Sequence, residues 1–141
     1  IRSLREKLDK AGLQDRYEIQ TNLSFNDKVR FFRDVTVFSV PCTSGEAFGL
    51  YVLEAIASGV PVVQPRHGAF PEIIETTKGG LLCEPDDIHS LADTLTELLT
   101  DDVRRQRIAD EGMNNVRKLY TAASMAEGVE ALLNEVVARR Q

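Results

Sequence analysis

The chain has 141 residues, 43% of them hydrophobic and 28% charged, which is the profile of one globular domain and not of a disordered or fibrous chain. Its 17 basic and 22 acidic residues leave a formal charge of −5 with the basic residues scattered, so no nucleic-acid partner is expected. No apolar run approaches the roughly 20 residues that span a bilayer, and nothing near Ile1 resembles a secretory leader; a cytoplasmic location is expected, with peripheral membrane contact left open for a full-length form.

Short β-branched runs alternate with helix-period runs, which points to an α/β layered architecture. Ser3 to Ala11 is expected to be helical and to stop at Gly12, a favoured left-handed terminator. Tyr17-Glu18-Ile19-Gln20 is a short strand candidate. Ser24-Phe25-Asn26-Asp27 resembles a capping box with Asp in place of Glu, opening a helix through Phe31 and Phe32. Val35 to Val40 is almost wholly apolar, as expected of a central strand covered on both faces. A small-residue loop, a helix through Leu50 to Ala57 and a tight turn at Gly59 lead to a second strand, Val60 to Gln64. A third strand run, Gly80 to Cys83, follows a short helix around Pro71 to Glu75, whose proline suits a first helical turn. Ile88, Leu91, Ala92, Leu95, Leu98 and Leu99 then fall at helical spacing behind a cap at Asp86 or Asp87. A further helix carries Val103, Ile108, Val116 and Leu119, and a last one carries Ala122, Ala126, Val129, Leu133 and Val136. No repeat or low-complexity tract marks an internal boundary. Cys42 and Cys83 lack any CxxC or Cys/His spacing, which argues against zinc and leaves reduced, semi-buried thiols.

The stretch from Val37 to Val63 is the most informative, because strand, loop, helix and strand in this order set a helix N-terminus at the carboxyl edge of a parallel sheet. An anion is favoured there. Glu46 stands at or just before the helix and Glu54 eight residues on. At ~1.5 Å and ~100° per residue the two are about 12 Å apart and about 80° round, on one broad side. That separation is too long for a shared proton or a single metal ion, so no metal is expected. It suits an extended ligand with an anionic middle and hydroxylated ends, such as a nucleoside diphosphate sugar, which is a substrate and not a cofactor. Carboxylates accept from vicinal hydroxyls and helix-end amides donate to phosphate oxygens, while Gly45 and Gly49 let backbone and ligand approach closely. A plainer reading leaves Glu46 a dipole-matched acid and Glu54 a solvated one. Against it, Leu50-Tyr51-Val52-Leu53 and Ala55-Ile56-Ala57 surround Glu54 with mostly apolar residues, where an acid is costly unless a partner compensates.

Glu46-Ala47-Phe48-Gly49-Leu50, Glu54-Ala55, Ala57-Ser58-Gly59-Val60-Pro61-Val62-Val63, Gly68, Pro71-Glu72-Ile73-Ile74 and Gly80-Leu81-Leu82 together resemble the C-terminal nucleotide-sugar-binding domain of retaining GT-B glycosyltransferases, most similar to glycosyltransferase family four, group 1. The likeness is ordered from Val37 to Asp86 and thins towards Tyr120; Ala47, Cys42 and Ala69 depart from the glycine, serine and glycine common in the family. It implies a Rossmann-like three-layer parallel sheet with C-terminal helices. Residues 1–141 would be a partial donor-binding domain, without its first strands and without the N-terminal domain that holds the acceptor. It further implies a hexosyltransferase-like enzyme of carbohydrate biosynthesis, moving a sugar from a UDP or GDP donor to a sugar, lipid or small-molecule acceptor with retention and with no cofactor.

By the same resemblance Glu46 is the catalytic-site acid that meets the transferred sugar and helps place its anomeric carbon, and Glu54 accepts from both ribose hydroxyls. The backbone of Phe48, Gly49 and Leu50 faces the diphosphate, Ser44 and Gly45 belong to the donor-binding set, and the loop of Thr21, Asn22 and Leu23 meets the base. Such a site chiefly stabilises the negative charge that develops as the bond breaks. The arginine and lysine with which the family neutralises the diphosphate are not in these residues. A helix end offers only about half a unit of charge, and Arg66 and Lys78 are the nearest cations in sequence, so the chain alone is expected to be inactive and to bind donor feebly. His67 is expected as an exposed loop residue in preference to a ligand contact, and Arg104, Arg105 and Arg107 as a solvated basic face in preference to one that meets anionic lipid. A 3-2-1-4-5-6 sheet would retain strand three and strands four to six here, leaving an edge on strand four that either the early segment or another copy of the chain covers, so self-association is expected as one of two outcomes. Two other readings stay open: a sugar-nucleotide epimerase of the same architecture and a non-catalytic nucleotide-sugar-binding module.

Overall fold

Three short parallel strands carry the architecture, with β1 (Phe38–Ser39), β2 (Val62–Pro65) and β3 (Gly80–Cys83) lying side by side in chain order. The computed structural model describes residues 1–139. Phe38 lies opposite Val62 and Val63 opposite Leu81, and each crossover is a helix, α3 (Leu50–Ala57) between β1 and β2 and α4 (Phe70–Thr77) between β2 and β3. Two helices precede the sheet, α1 (Arg2–Lys10) and α2 (Phe25–Asp34). Three follow it, α5 (Ile88–Thr100), α6 (Asp102–Leu119) and α7 (Ala122–Ala138).

The central strand β2 is buried along its whole length and divides the core by the pleat. Val62 joins Phe32, Val52, Ile56, Phe70 and Ile73 beneath α2, α3 and α4, while Val63 joins Cys83, Leu98 and Ile108 on the α5 side. Helix α6 gives Val116 to the first cluster and Ile108 to the second, so one helix closes both layers. Leu98, fully buried, fixes α5 to the sheet with about 1.5–3 kcal/mol of burial. This is the layered parallel architecture that the alternation of elements predicts.

The caps form where local chemistry places them. Ser24 accepts from Asp27 N–H at 3.2 Å, although the Asp27 carboxylate takes the Ser24 hydroxyl at 2.6 Å and not its backbone amide, so half of the box is made. Asp87 caps α5, and Gly12 follows α1 with φ 72°. Helix α4 starts at Phe70 with Pro71 in its first turn.

Elements with little cover among the described residues depart from the sequence reading. Val35 to Val40 is not a doubly covered strand: Phe38 and Ser39 alone pair, and Val37, Phe38 and Val40 are half-buried. Among the described residues β1 has one strand neighbour, and at Val40 its N–H turns to the side-chain Oε1 of Gln64 at 3.3 Å, where the backbone ladder would continue. Tyr17 to Gln20 forms no strand; the Tyr17 hydroxyl instead donates to Asp9 on α1 at 2.9 Å. Ile88 and Leu99 on α5 and Val103 on α6 are exposed, and α7 buries no side chain, its Val129, Leu133 and Val136 included.

Candidate functional site at the carboxyl edge of the sheet

The crevice opens where β1 ends and β2 continues, which is where open parallel sheets hold ligands. The loop from Val40 to Gly49 crosses it, and the segment after β2 holds that loop in place. His67 Nε2 lies 2.7 Å from the Cys42 carbonyl oxygen, an acceptor, so the ring proton is on Nε2. Ala69 N–H donates to the Glu46 carbonyl at 2.8 Å, and the Cys42 thiol donates to the Ser44 carbonyl at 2.8 Å. Gly68, with φ 57°, passes so close that a Cβ would stand 2.5 Å from Glu46 O and 2.6 Å from Glu46 N. His67 is therefore a half-buried support for the loop and not an exposed loop residue, a role set by the fold and invisible in its sequence neighbours.

Glu46 folds its carboxylate onto the start of α3. Oε1 accepts from Phe48 N–H at 3.2 Å and Oε2 from the Tyr51 hydroxyl at 2.9 Å. The Phe48 amide above all, then the Tyr51 hydroxyl, holds this carboxyl below the usual range. Burial, reinforced by the bond to Glu46, pushes Tyr51 up to about 12. At neutral pH Glu46 is thus a charged, acceptor-only group. The anion at the N-terminus of α3 is the chain's own, and it occupies the Phe48 amide that was expected to face a diphosphate. The first-turn amides of Leu50 and Tyr51 have no backbone partner among the described residues, whereas Val52 N–H already donates to the Gly49 carbonyl at 2.9 Å. Gly49 also serves a different end from the one read in sequence: it is buried, and a Cβ there would meet Ile73 of α4 at 3.1 Å, so its smallness seats α3 on α4. Ser44 and Gly45 lie exposed on the loop, as do the side chains of Phe48 and Leu50.

Glu54 has the compensating partner its apolar setting demands. Lys28 Nζ sits 2.6 Å from Glu54 Oε1, with both side chains half-buried. Reading along the chain misses this cation because it lies 26 residues upstream. The signal was nonetheless present: Lys28 precedes Phe31 and Phe32 by three and four positions, on the helix face that packs inward. Phe32 stacks edge-on with Phe38, and Phe38 with Tyr51, which sets α2 against β1 and α3. The cations expected from sequence lie elsewhere. Arg66 faces Glu84 at 3.8 Å, and Lys78 caps α4 just before β3, at the opposite, amino edge of the sheet. Arg104 and Arg105 pair with Glu97 and Asp102.

Tyr51 and Glu54, three apart on α3, share one helix face, so Glu46 tied to Tyr51 and Glu54 tied to Lys28 line one side of α3. Thr21, Asn22 and Leu23 lie exposed just ahead of α2, the helix that carries Lys28, with Asn22 in the left-handed region at φ 54°. Two cavities flank the site. One of 510 Å³ reaches from Phe48, Leu50 and Glu54 to Met125 of α7 and is chiefly apolar; Glu46 is not in its lining. Another of 330 Å³, at the ends of β2 and β3, is lined by Glu84, Asp86 and Asp87 and repels an anion. Among the described residues no three His, Cys, Asp or Glu side chains gather as a metal site requires, and no helix is long and apolar enough to cross a membrane.

A parallel α/β layer with its polar groups gathered at the carboxyl edge is the framework of Rossmann-like ligand-binding domains. Residues 2–115 match the glycosyl transferases group 1, and the chain belongs to that family. It is 31% identical over 134 residues to D-inositol 3-phosphate glycosyltransferase of Corynebacterium glutamicum, which covers 95% of this chain and 32% of the relative. The chain thus spans about a third of that protein's length. The C-terminal domain of a glycosyl transferase group 1 family protein, LpcC, of Francisella tularensis superposes with a TM-score of 0.71 at 32% identity, over 86% of this chain and 62% of that one. The Anabaena protein HepE, in a structure with UDP-glucose, superposes with a TM-score of 0.82 over 95% of this chain and 36% of its own; at 20% identity this shows the shared GT-B fold.

Proposed function

We propose that this chain is the donor-binding part of a retaining glycosyltransferase, which moves a hexose from a nucleoside diphosphate to an acceptor held by an N-terminal domain. The observation that carries this reading is the line of Glu46, Tyr51 and Glu54 along one side of α3 at the carboxyl edge of the sheet. Glu46, held charged, accepts from hydroxyls of the transferred sugar and places its anomeric carbon. Glu54 accepts from the ribose hydroxyls, and Lys28 beside it offsets part of the diphosphate charge. The amides of Leu50 and Tyr51 face the phosphates, and the loop of Thr21, Asn22 and Leu23 lies on the base side. Sugar transfer at a cytoplasmic face, with no metal and no cofactor, completes the proposal. HepE was solved with UDP-glucose, which makes that the first donor to assay, with GDP-mannose beside it.

Replacing Glu54 with alanine in the whole protein is expected to raise the donor KM about tenfold with kcat within about twofold, because the ribose contact is made equally in ground and transition states. Initial rates at varied donor measure this. An unchanged KM removes Glu54 from the donor site and the proposal with it.

A further inference from the structure

We propose that Tyr51 is a positioning residue for sugar transfer, its hydroxyl fixing the orientation in which Glu46 presents its carboxylate to the donor sugar. The inference rests on the reading of Glu46 as the acid that meets that sugar.

Glu46 belongs to neither helix nor strand, and its side chain has two tethers. One, the Phe48 amide, lies in the same loop and travels with it. The other, Tyr51, lies in the first turn of α3, which is fixed by the fully buried Val52, Ala55 and Ile56. Its ring is half-buried against Phe38 of β1, with centroids 6.3 Å apart at 67°. Tyr51 is therefore the link that ties the carboxylate to the rigid part of the domain. A carboxylate offers about four acceptor positions. Phe48 and Tyr51 take one on each oxygen, and the remaining positions accept from hydroxyls and reject phosphate oxygens and carbonyls. Without the Tyr51 hydroxyl the carboxylate is held only by amides of its own loop, that of Phe48 first, and loss of a single ångström of alignment costs up to about a hundredfold in rate.

The test is steady-state kinetics of the whole protein with whichever of UDP-glucose, UDP-N-acetylglucosamine and GDP-mannose it turns over. Tyr51→Phe keeps the ring on Phe38 and removes only the hydroxyl; it is expected to lower kcat about tenfold with donor KM within about twofold, the opposite of the split expected for Glu54→Ala. Placing 3-fluorotyrosine at position 51, which restores a hydroxyl, keeps kcat within about twofold of the parent. In a Glu46→Ala background Tyr51→Phe adds less than about twofold, since the group it positions is gone. An unaltered kcat for Tyr51→Phe overturns the inference, as does the same tenfold loss in the Glu46→Ala background. A Glu46→Ala protein with full kcat also overturns it, and that result places the fault in the role given to Glu46. Melting temperatures within about 2 °C of the parent confirm that packing is intact.

Discussion

Lys28 and Glu54 make the contact on which the charge balance of the site turns. Their side chains are 36% and 31% exposed, so water screens the pair and its net contribution to stability stays below about 1 kcal/mol. A diphosphate bound as proposed would change this, because it would bring about two negative charges to a place already holding Glu46 and Glu54. Removing the lysine then leaves three like-charged groups facing one another. Lys28→Met, which keeps the aliphatic stem, is expected to move Tm by less than about 2 °C while raising the donor KM about tenfold. Thermal melts and initial rates on the same preparation check both halves. A donor KM equal to the parent's would confine Lys28 to satisfying Glu54.

The elements differ in how far their own residues determine them, and α5 shows both limits. Asp87 accepts from the amides of His89 and Ser90 at 2.9 and 3.0 Å, a cap that short-range chemistry alone dictates. The Ser90 amide, then that of His89, holds its carboxyl below the ordinary value of 3.8. A folded-state pKa lowered in this way contributes stability that is fully present above the unfolded value and is lost as pH falls through the folded one. Asp87→Ala is therefore expected to lower Tm by about 3 °C at pH 7, with the difference between the two proteins shrinking as pH drops below 3.8. Calorimetry across that range checks it; a difference that grows on acidification would refute the cap. The same local logic made Ser24, Gly12, Pro71 and the phase of Leu91, Leu95 and Leu98 readable from sequence. It failed at Ile88, Leu99 and α7, whose apolar stripe has no cover among the described residues, because periodicity marks a face without supplying what covers it. Tyr17 to Gln20 failed similarly, since a strand needs a partner and this segment pairs with none among the described residues, although one edge of β1 is open. At the candidate site, spacing and composition single out Glu46 and Glu54. Lys28 and His67 escape a reading along the chain, because they reach their partners 26 and 25 residues away through tertiary packing, and Tyr51 escapes it because an aromatic in an apolar run reads as core although its hydroxyl meets Glu46 five residues back.

For the whole molecule the question is whether its charges suffice to hold an activated sugar. The formal charge is −5, so no long-range attraction draws an anionic donor in. Within the site, Lys28 offers one positive charge and the first turn of α3 about half a unit, against two carboxylates, which leaves the locale near minus one half before any ligand arrives. Glu46 also occupies the Phe48 amide, so part of the helix-end field is already spent on the protein's own acid. Affinity must then come from hydroxyl hydrogen bonds and base packing, each worth about 1 kcal/mol net, set against several kcal/mol of lost translational freedom. The isolated 141-residue chain is therefore expected to bind UDP-glucose and GDP-mannose with Kd weaker than about 1 mM, to show little loss of that binding as salt rises, and to transfer no sugar. Calorimetric titration at two ionic strengths reads this directly. Micromolar binding that weakens steeply with salt would mean that these residues alone assemble a strong cationic clamp, which a site balanced between Lys28 and two glutamates does not provide.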